Sequence, residues 1–577
     1  MSQFTEYVEP TWRGLNMRQL KVDEAYLIAK NFYHKVTYLY TLSEQCYTCP
    51  YTKVKALHPQ QTNDDNITHL TTTLNVAYNM NFKLFDYDAG RYAFSNETAL
   101  CISEQRHLKE FGVYNFTLNA NGTCNWDIDK DGVNIYYSLL SVFLLVALIL
   151  SILKISLCAW RSYHYEEEVL ENVAGSGTTA GTVQQRNRMR SLDVFRGMAI
   201  VLMIFVNSGG GDYWWIEHAP WNGLHLADVV FPSFLWIMGV CIPISIKSQL
   251  SRGITKAQIA FRILWRSIKL FCIGLCLNSI NGPNFENLRI MGVLQRFGIA
   301  YLMCGIIHTV FAKKDHLEPQ VTWRRALYDL ISFKGELMVA FALIVIHLSI
   351  VFGLHVPDCP RGYLGPGGKH ANASYAGCIG GATGYIDLQI LGSSHIYQHP
   401  TAKYIYDSKP FDPEGIFGCL LTIVQVLFGA LTGVVILMHT DWRARITRWL
   451  LWSMFLTIIT SILSEFTKES GVIPINKNLW SLSFVCATTA LAFTVLSILY
   501  YIIDVRHWWT GYPFEACGMN AIIMYVGHTV MHKMLPWHWR IGAMNTHFLL
   551  LLEAVWNTLM WIGIAIYLDH INFYYSL

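Results

Sequence analysis

The sequence is short of charge. Asp, Glu, Lys and Arg make up only 14% of its 577 residues, whereas globular domains carry about a quarter. Hydrophobic residues make up 53%, which excludes an ordinary soluble protein and predicts a multi-pass protein of the lipid bilayer. The net charge is only +3, and basic runs interleaved with aromatic residues are lacking. We therefore expect no nucleic-acid partner.

Long apolar runs are missing from the region 1–134. The opening "MSQFTEYVEPTWRGLNMRQL" also lacks the apolar core of a signal peptide, so either the start of the chain is truncated or the first membrane helix exports the N-terminus. The region does contain sequons and an even set of cysteines, which indicate export into an oxidising compartment. These residues are Asn66, Asn96, Asn115, Asn121, Cys46, Cys49, Cys101 and Cys124.

The four cysteines have two interpretations. Cys46 and Cys49 have a zinc-type spacing, but the second pair lacks it, so disulfides are favoured and no metal is expected. Three pairings are open.

The stretches "LNVAYNMNFKL" (74–84) and "VYNFTL" (113–118) alternate apolar and polar residues. This alternation predicts a small antiparallel β-sandwich over 1–134.

The rest of the chain consists of apolar runs long enough to cross a bilayer. The first run (135–159) precedes a polar linker (160–190), and ten more lie within 191–568, before a short tail (569–577). They fall near 197–217, 224–248, 266–282, 291–312, 334–356, 415–438, 444–464, 479–503, 516–536 and 546–568. The predicted fold is a polytopic all-α membrane protein with about 11 transmembrane helices and an N-terminal lumenal β-rich domain.

Basic loops predict the orientation of these helices. The linker ends in arginines, and basic segments such as "HTDWRARITR" fall on the same side, which the positive-inside rule assigns to the cytosol. The N-terminal domain and a long loop (357–414) then lie outside, and the C-terminus lies in the cytosol. The long loop carries the sequon Asn372 between Cys359 and Cys378, a third expected disulfide.

The segment "NSGGGDYWWIEHAPWNG" (207–223) places polar groups where the second helix ends. Asn207, His218 and Asp228, with flexible backbone at Gly209–Gly211, predict the wall of a pocket. Other interpretations stay open: His218 is structural, Asp228 caps the next helix, and at least two tryptophans of the set Trp214, Trp215 and Trp221 form an interfacial belt.

Arginines form a second set at the opposite membrane face. Arg190, Arg196 and Arg266 fit positive-inside flanks, whereas Arg296 lies within a predicted helix and needs an anionic partner, either a protein group or a ligand phosphate.

Seven ordered segments between about residue 190 and the last helix carry a resemblance to a known family. They are "SLDVFRG", "HAPWNGLHLADVVFP", "GVLQRFGIAY", "GYLGPGG", "GYIDLQILGSSHIYQHP", "FDPEGIFG" and "IPINKNLWSLSF". Together they resemble the heparan-alpha-glucosaminide N-acetyltransferases, transmembrane enzymes of the lysosome. The first two segments alone would indicate only the broader superfamily.

The resemblance implies a reaction and its participants. Cytosolic acetyl-CoA would be the co-substrate, the terminal glucosamine of heparan sulfate in the lysosomal lumen the acceptor, and a homodimer the assembly. The family's active-site histidine falls on His218 and its neighbouring asparagine on Asn207. Asp228 is added to the catalytic set, and the predicted acetyl-CoA contacts are Arg190, Arg196, Arg266, Arg296, Gly209, Gly210, Trp214 and Trp215.

Two mechanisms fit these residues. His218 acts as a general base, or it first accepts the acetyl group itself. A histidine with an ordinary pKa of about 6.5 would be protonated in an acidic lumen, so we expect burial against the tryptophans to lower its pKa. The alternatives to an enzyme are a proton-coupled transporter of a sugar or CoA derivative, which leaves its substrate unchanged, and a glycan-binding scaffold, which needs no membrane helices.

Overall fold

A computed structural model describes residues 10–59, 70–172, 189–280, 282–312 and 328–575. The predicted sequon Asn66 and the linker segment 173–188 lie outside these residues. The chain folds as an N-terminal β-rich domain followed by a helical membrane region. The predicted fold class, a helical multi-pass membrane protein with an N-terminal β-rich domain, is therefore confirmed.

The N-terminal domain is a β-sandwich. One sheet has the strand order β11-β10-β3-β6, the second has the order β8-β5-β4-β7-β9, and β1 pairs with β2. The strands are β1 Thr11–Trp12, β2 Leu15–Asn16, β3 Glu24–Asn31, β4 Thr37–Ser43, β5 Tyr51–Leu57, β6 Leu70–Asn75, β7 Met80–Phe85, β8 Tyr92–Ala93, β9 Cys101–Arg106, β10 Val113–Leu118 and β11 Cys124–Lys130. A short 3₁₀ helix, Met17–Gln19, follows β2.

Apolar residues on alternate positions fill the space between the two sheets, as in a half-buried strand pattern. Leu27, Phe82 and Phe116 are fully buried in this core. Two details differ from the prediction. The alternating stretch 74–84 forms the end of β6 and most of β7 with a turn between them, and β10 pairs with β3 in parallel, so the sandwich is only mostly antiparallel.

The described helices are α1 Tyr136–Asn172, α2 Arg190–Asn207, α3 Val230–Ser251, α4 Lys256–Asn278, α5 Val293–Phe311, α6 Tyr328–Ser332, α7 Lys334–Gly353, α8 Gly381–Leu391, α9 Ala402–Tyr406, α10 Cys419–Met438, α11 Trp442–Ser464, α12 Leu482–Tyr500, α13 Phe514–Met519, α14 Ala521–Val530 and α15 His547–His570. A 3₁₀ turn, Leu226–Val229, leads into α3, and a π-turn, Tyr501–Val505, extends α12.

Eight helical segments in the described part of the chain are long and apolar enough to cross a membrane: α1, α3 with its 3₁₀ turn, α5, α7, α10, α11, α12 with its π-turn, and α15. The three other predicted runs correspond to α2 and α4, which carry charged residues, and to the short pair α13 and α14. The count of eleven stays a prediction.

The centre of the membrane region is the contact of α3 with α10. A Cβ atom on Gly239 would lie 2.2 Å from the Val426 carbonyl oxygen, and one on Gly429 would lie 2.1 Å from the Trp236 carbonyl oxygen. Small residues allow this close approach of two helices in a membrane. The helices α2, α5 and α12 pack around this pair. The buried core that they form supports the polar loops at one end of the bundle.

The β-domain rests on that same end of the bundle. The Tyr406 hydroxyl donates to the Gln45 carbonyl oxygen at 2.9 Å, and Asn545 Nδ2 donates to the Leu20 carbonyl oxygen at 3.1 Å. The structure pairs Cys46 with Cys49, Cys101 with Cys124, and Cys359 with Cys378.

Candidate active site

The loop after α2 shapes the site. Gly209, Gly210 and Gly211 take φ angles of +90°, +54° and +82°, a region that favours glycine. A Cβ atom on Gly210 would also lie 2.5 Å from Ile216 Cγ2. The helix therefore ends at Asn207, earlier than the hydropathy predicts, and the loop returns towards the start of α3.

His218 and Asp228 meet where this loop returns. His218 Nδ1 lies 2.7 Å from Asp228 Oδ1, and the buried carboxylate also accepts hydrogen bonds from the backbone N–H groups of Ala219 (3.1 Å) and His225 (3.0 Å). A carboxylate only accepts, so Nδ1 carries the proton of the neutral imidazole. The lone pair of Nε2 is then available for chemistry.

Lys477, in the loop between α11 and α12, completes the charges around His218. Its Nζ lies 3.0 Å from His218 Nδ1, 3.1 Å from Nε2 and 3.9 Å from Asp228 Oδ1. Burial lowers the pKa of His218, the Lys477 charge lowers it further, and Asp228 opposes both effects. The pKa of His218 is therefore shifted downwards, as predicted. Burial is the first cause of this shift, and the charge of a lysine is the second.

Glu414 adds a negative charge to the same place. Burial alone would raise the pKa of this carboxyl, but the positive charges of Arg289, Lys477 and Arg296 bring it below its ordinary value. Arg289 Nη2 lies 2.6 Å from both Glu414 Oε2 and Asp412 Oδ1. Glu414 is therefore an anion held by a charge network.

A cavity of about 110 Å³ opens beside His218. Asn207 lies in its wall, where Asn207 Nδ2 donates to His528 Nε2 at 3.0 Å. The second hydrogen of that amide is available to a group inside the cavity. The lining residues are Met203, Val206, Asn207, His218, Ala227, Val230, Phe231, Val293, Glu414, Lys477 and Tyr525.

A larger cavity of about 230 Å³ adjoins the first, and Met203, Val293 and Tyr525 line both. Its walls are mostly apolar, with Arg196 and Arg266 among the few charged residues. Arg196 lies about 16 Å along α2 from Asn207 at 1.5 Å per residue. The two cavities together thus connect arginines near one end of α2 with His218 at the other end.

Two other predicted acetyl-CoA contacts lie elsewhere. The backbone N–H of Arg190 donates to Asp504 Oδ1 at 3.1 Å, and its side chain pairs with Glu515 at 3.5 Å, so Arg190 fastens the start of α2. Arg296 is buried over the Trp480 ring, with one bond to the Gly415 carbonyl oxygen at 2.8 Å. Neither residue lines the two cavities.

The glycines and tryptophans of the loop face the β-domain and the helices. Trp214 packs against Tyr78 and His225, each with ring centroids 5.7 Å apart, and Trp215 packs against Tyr213 at 6.0 Å. Gly209 and Gly210 shape the turn. Contact of these four residues with acetyl-CoA stays a prediction.

Among the described sequons, Asn96, Asn121 and Asn372 are exposed, and Asn115 is half-buried in β10.

Sequence reasoning missed Lys477, Glu414, His528 and Tyr525 as site residues. Lys477 and Glu414 lie in two of the seven family segments, "IPINKNLWSLSF" and "FDPEGIFG". The signal that could have identified Lys477 and Glu414 is that both are charged residues in loops predicted on the same side of the membrane as His218.

One cluster could hold a cation. The ligand-type atoms of Asp23, Glu110 and His547 lie within 4.8 Å of one another, where the β-domain meets the start of α15. His547 Nδ1 donates to the Gly211 carbonyl oxygen at 2.7 Å. The cluster therefore contacts the same loop that carries His218.

Comparison with known proteins agrees with the resemblance. A family model described as "Heparan-alpha-glucosaminide N-acetyltransferase, catalytic" matches residues 188–317. A mouse protein named heparan-alpha-glucosaminide N-acetyltransferase is 40% identical over 388 residues, covering 66% of this chain and 59% of the mouse protein. A human protein of the same name is 34% identical over 590 residues, covering 95% of this chain and 87% of the human protein.

Proposed function

This chain belongs to the heparan-alpha-glucosaminide N-acetyltransferase family, and we propose that it moves the acetyl group of cytosolic acetyl-CoA to the amine of the terminal alpha-glucosamine of heparan sulfate in the lysosomal lumen. The reaction aids heparan sulfate degradation. The observation that carries the proposal is the pair of adjoining cavities, with arginines in one and His218 and Asn207 in the other.

The larger cavity suits acetyl-CoA. Arg196 and Arg266 provide cations for the phosphates, and Arg196 Nε is buried without a hydrogen-bond partner among the described residues. The apolar walls suit the pantetheine arm. The thioester would then reach the smaller cavity, where an Asn207 N–H can donate to its carbonyl oxygen as negative charge develops there.

Transfer is direct in this proposal. The glucosamine nitrogen attacks the thioester carbon, the new N–C bond forms, and the C–S bond breaks. His218 Nε2 takes the proton from the nitrogen and delivers it to the departing CoA sulfur, so the products are the N-acetyl sugar and CoA thiol. Asp228 keeps Nδ1 protonated and stabilises the transient imidazolium. A cavity system that extends along α2 from Arg196 to Asn207 needs no acetyl-histidine intermediate.

Orientation follows the same proposal. The β-domain and the loop 357–414 face the lumen of the lysosome, and the tail 569–577 faces the cytosol. Three exposed sequons and three disulfides on that side support this assignment. The homodimer rests on the family resemblance alone.

The test uses membranes containing the full-length chain or its His218→Ala variant, supplied with acetyl-CoA and glucosamine. N-acetylglucosamine and free CoA are both quantified. We expect equal amounts of the two products from the wild type and a loss of at least 10²-fold in the variant, the low end for a general base.

Retained acetyl-CoA binding by His218→Ala would show that the variant is folded. Transport of unchanged glucosamine or CoA by the wild type, without product, would favour the carrier alternative. Acetyl-CoA given alone should leave the protein mass unchanged, whereas an acetylated His218 would contradict direct transfer.

A further inference from the structure

Lys477 lies in direct contact with the imidazole of His218. Its Nζ lies almost equally far from both ring nitrogens, at 3.0 and 3.1 Å, and its side chain is 12% exposed. With the proton on Nδ1, only Nε2 has a lone pair to accept a hydrogen bond, and an ammonium group equally far from both nitrogens is not aligned with it. Its interaction with His218 is therefore mainly one of charge.

The surrounding loop fixes the lysine in this position. Asn476, the preceding residue, is fully buried, and its Nδ2 donates to Asn222 Oδ1 at 2.9 Å. Its Oδ1 accepts from the backbone N–H of Leu479 at 2.9 Å. The backbone beside Lys477 is thus tied both to the loop carrying His218 and to the start of α12.

We propose, building on the acetyl-transfer function above, that Lys477 is a positioning residue whose positive charge keeps His218 unprotonated and ready to act as a base in an acidic lumen. A cation at this distance opposes a second positive charge on the ring. The same charge disfavours an ammonium group in the cavity, so it selects the free amine form of glucosamine, the form that can attack.

Other groups set the size of the effect. Asp228 faces His218 from the start of α3 and favours the protonated ring, and Glu414 does so from the loop before α10. His225, in the loop that also carries His218, interacts electrostatically with it. Tyr525 lines the cavity from α14. Lys477 is the cation among these neighbours, and it offsets the carboxylates that would otherwise hold a proton on His218.

The experiment compares the pH dependence of kcat/KM for the full-length wild type, Lys477→Met, Lys477→Gln and Lys477→Arg. We expect the acid limb to move to higher pH by about one unit in the Met and Gln variants, because the opposing charge is gone. The Arg variant keeps the charge, so its limb should stay within a few tenths of a unit of the wild type.

Lys468→Met is the matched control, because Lys468 lies in the same loop but its Nζ donates to Gln45 Oε1 at 2.7 Å. Its acid limb should not move. A uniform loss of kcat/KM at every pH in Lys477→Met, with an unmoved limb, would overturn the proposal and assign Lys477 to substrate binding or folding. A wild type that forms no N-acetylglucosamine at any pH would instead refute the acetyl-transfer function itself.

Discussion

Two histidines meet at one loop and use their nitrogens differently: His218 is part of the loop, and His547 contacts it from the start of α15. His547 is closed in: Nδ1 donates to the Gly211 carbonyl oxygen at 2.7 Å, and Nε2 lies 3.3 Å from Asp23 Oδ1 and 3.5 Å from Glu110 Oε2. His218 has only Nδ1 committed to a carboxylate, at 2.7 Å. Its Nε2 has no carboxylate partner among the described residues, and the Lys477 ammonium group lies 3.1 Å from it.

Exposure follows the same division. The His547 side chain is 1% exposed and packs face to face on Tyr213, whereas the His218 side chain is 36% exposed and borders a cavity. A histidine–carboxylate contact is therefore weak evidence of catalysis. A ring nitrogen without a carboxylate or carbonyl partner, on a side chain that borders a cavity, is the stronger mark. It distinguishes the catalytic candidate from the histidine that joins two domains.

The charges around the two histidines also differ. Near His547 the carboxylates Asp23, Glu110, Asp212 and Glu217 are in excess. Burial and neighbouring carboxylates raise the pKa of both Glu110 and Glu217 to about 7. Near His218 a lysine balances the carboxylates. At acidic pH the first cluster gains protons, whereas the charge of Lys477 opposes the protonation of His218.

The largest expected effect comes from breaking the carboxylate contact at His218. Asp228→Asn should lower kcat/KM by roughly 10²- to 10⁴-fold, because Nδ1 loses its acceptor and the ring its tautomer and orientation. Binding of acetyl-CoA, measured separately, should change little, since Asp228 lies outside the arginine-lined cavity. Activity within a few fold of the wild type would mean that Asp228 only caps α3.

A smaller effect, on stability rather than chemistry, is expected at the His547 cluster. The pKa of Glu110 is about 7 in the folded chain against an ordinary 4.5. A raised pKa means that the folded state binds the proton more tightly, so this stabilisation is present below 4.5 and is lost as pH rises through about 7. The unfolding temperature should therefore fall by a few degrees from pH 5 to about pH 7.5.

Glu110→Gln removes the titrating group and should flatten that pH dependence while leaving kcat at acidic pH close to the wild-type value. Glu104→Gln, an exposed carboxylate of the same domain, is the control and should behave like the wild type. An unchanged slope in Glu110→Gln would show that the other carboxylates carry the pH dependence.

Much of the fold follows from local sequence patterns. Hydropathy predicts the eight apolar helical segments because a lipid environment demands long apolar runs. Alternation predicts the strands of the sandwich. The predicted bounds of this helix fail at Gly209–Gly211, where the chain leaves the helix about ten residues before the predicted apolar run ends. The parallel pairing of β10 with β3 is a long-range choice that no local pattern encodes.

The site was predictable only in part. His218, Asn207 and Asp228 are close in sequence, so their proximity follows from one turn. Lys477 and Glu414 arrive from loops hundreds of residues away, and only the folded bundle brings them to the cavity. Trp214 shows the opposite case: it is near His218 in sequence, but its ring packs against Tyr78 of the β-domain, and its contact with acetyl-CoA stays a prediction.

The smallest expected effect separates two contacts between the β-domain and the loop 357–414. Arg91 pairs with Asp407 at 2.7 Å, but the side chains are 70% and 54% exposed, so Arg91→Ala should cost at most about 0.5 kcal/mol. Tyr406 is buried and donates to the Gln45 carbonyl oxygen at 2.9 Å. Tyr406→Phe should cost about 1 kcal/mol, because the half-buried Gln45 carbonyl oxygen loses its donor. Chemical unfolding of the two variants measures both losses of unfolding free energy. A larger loss in Arg91→Ala than in Tyr406→Phe would mean that water reaches the Tyr406 hydroxyl and replaces its hydrogen bond.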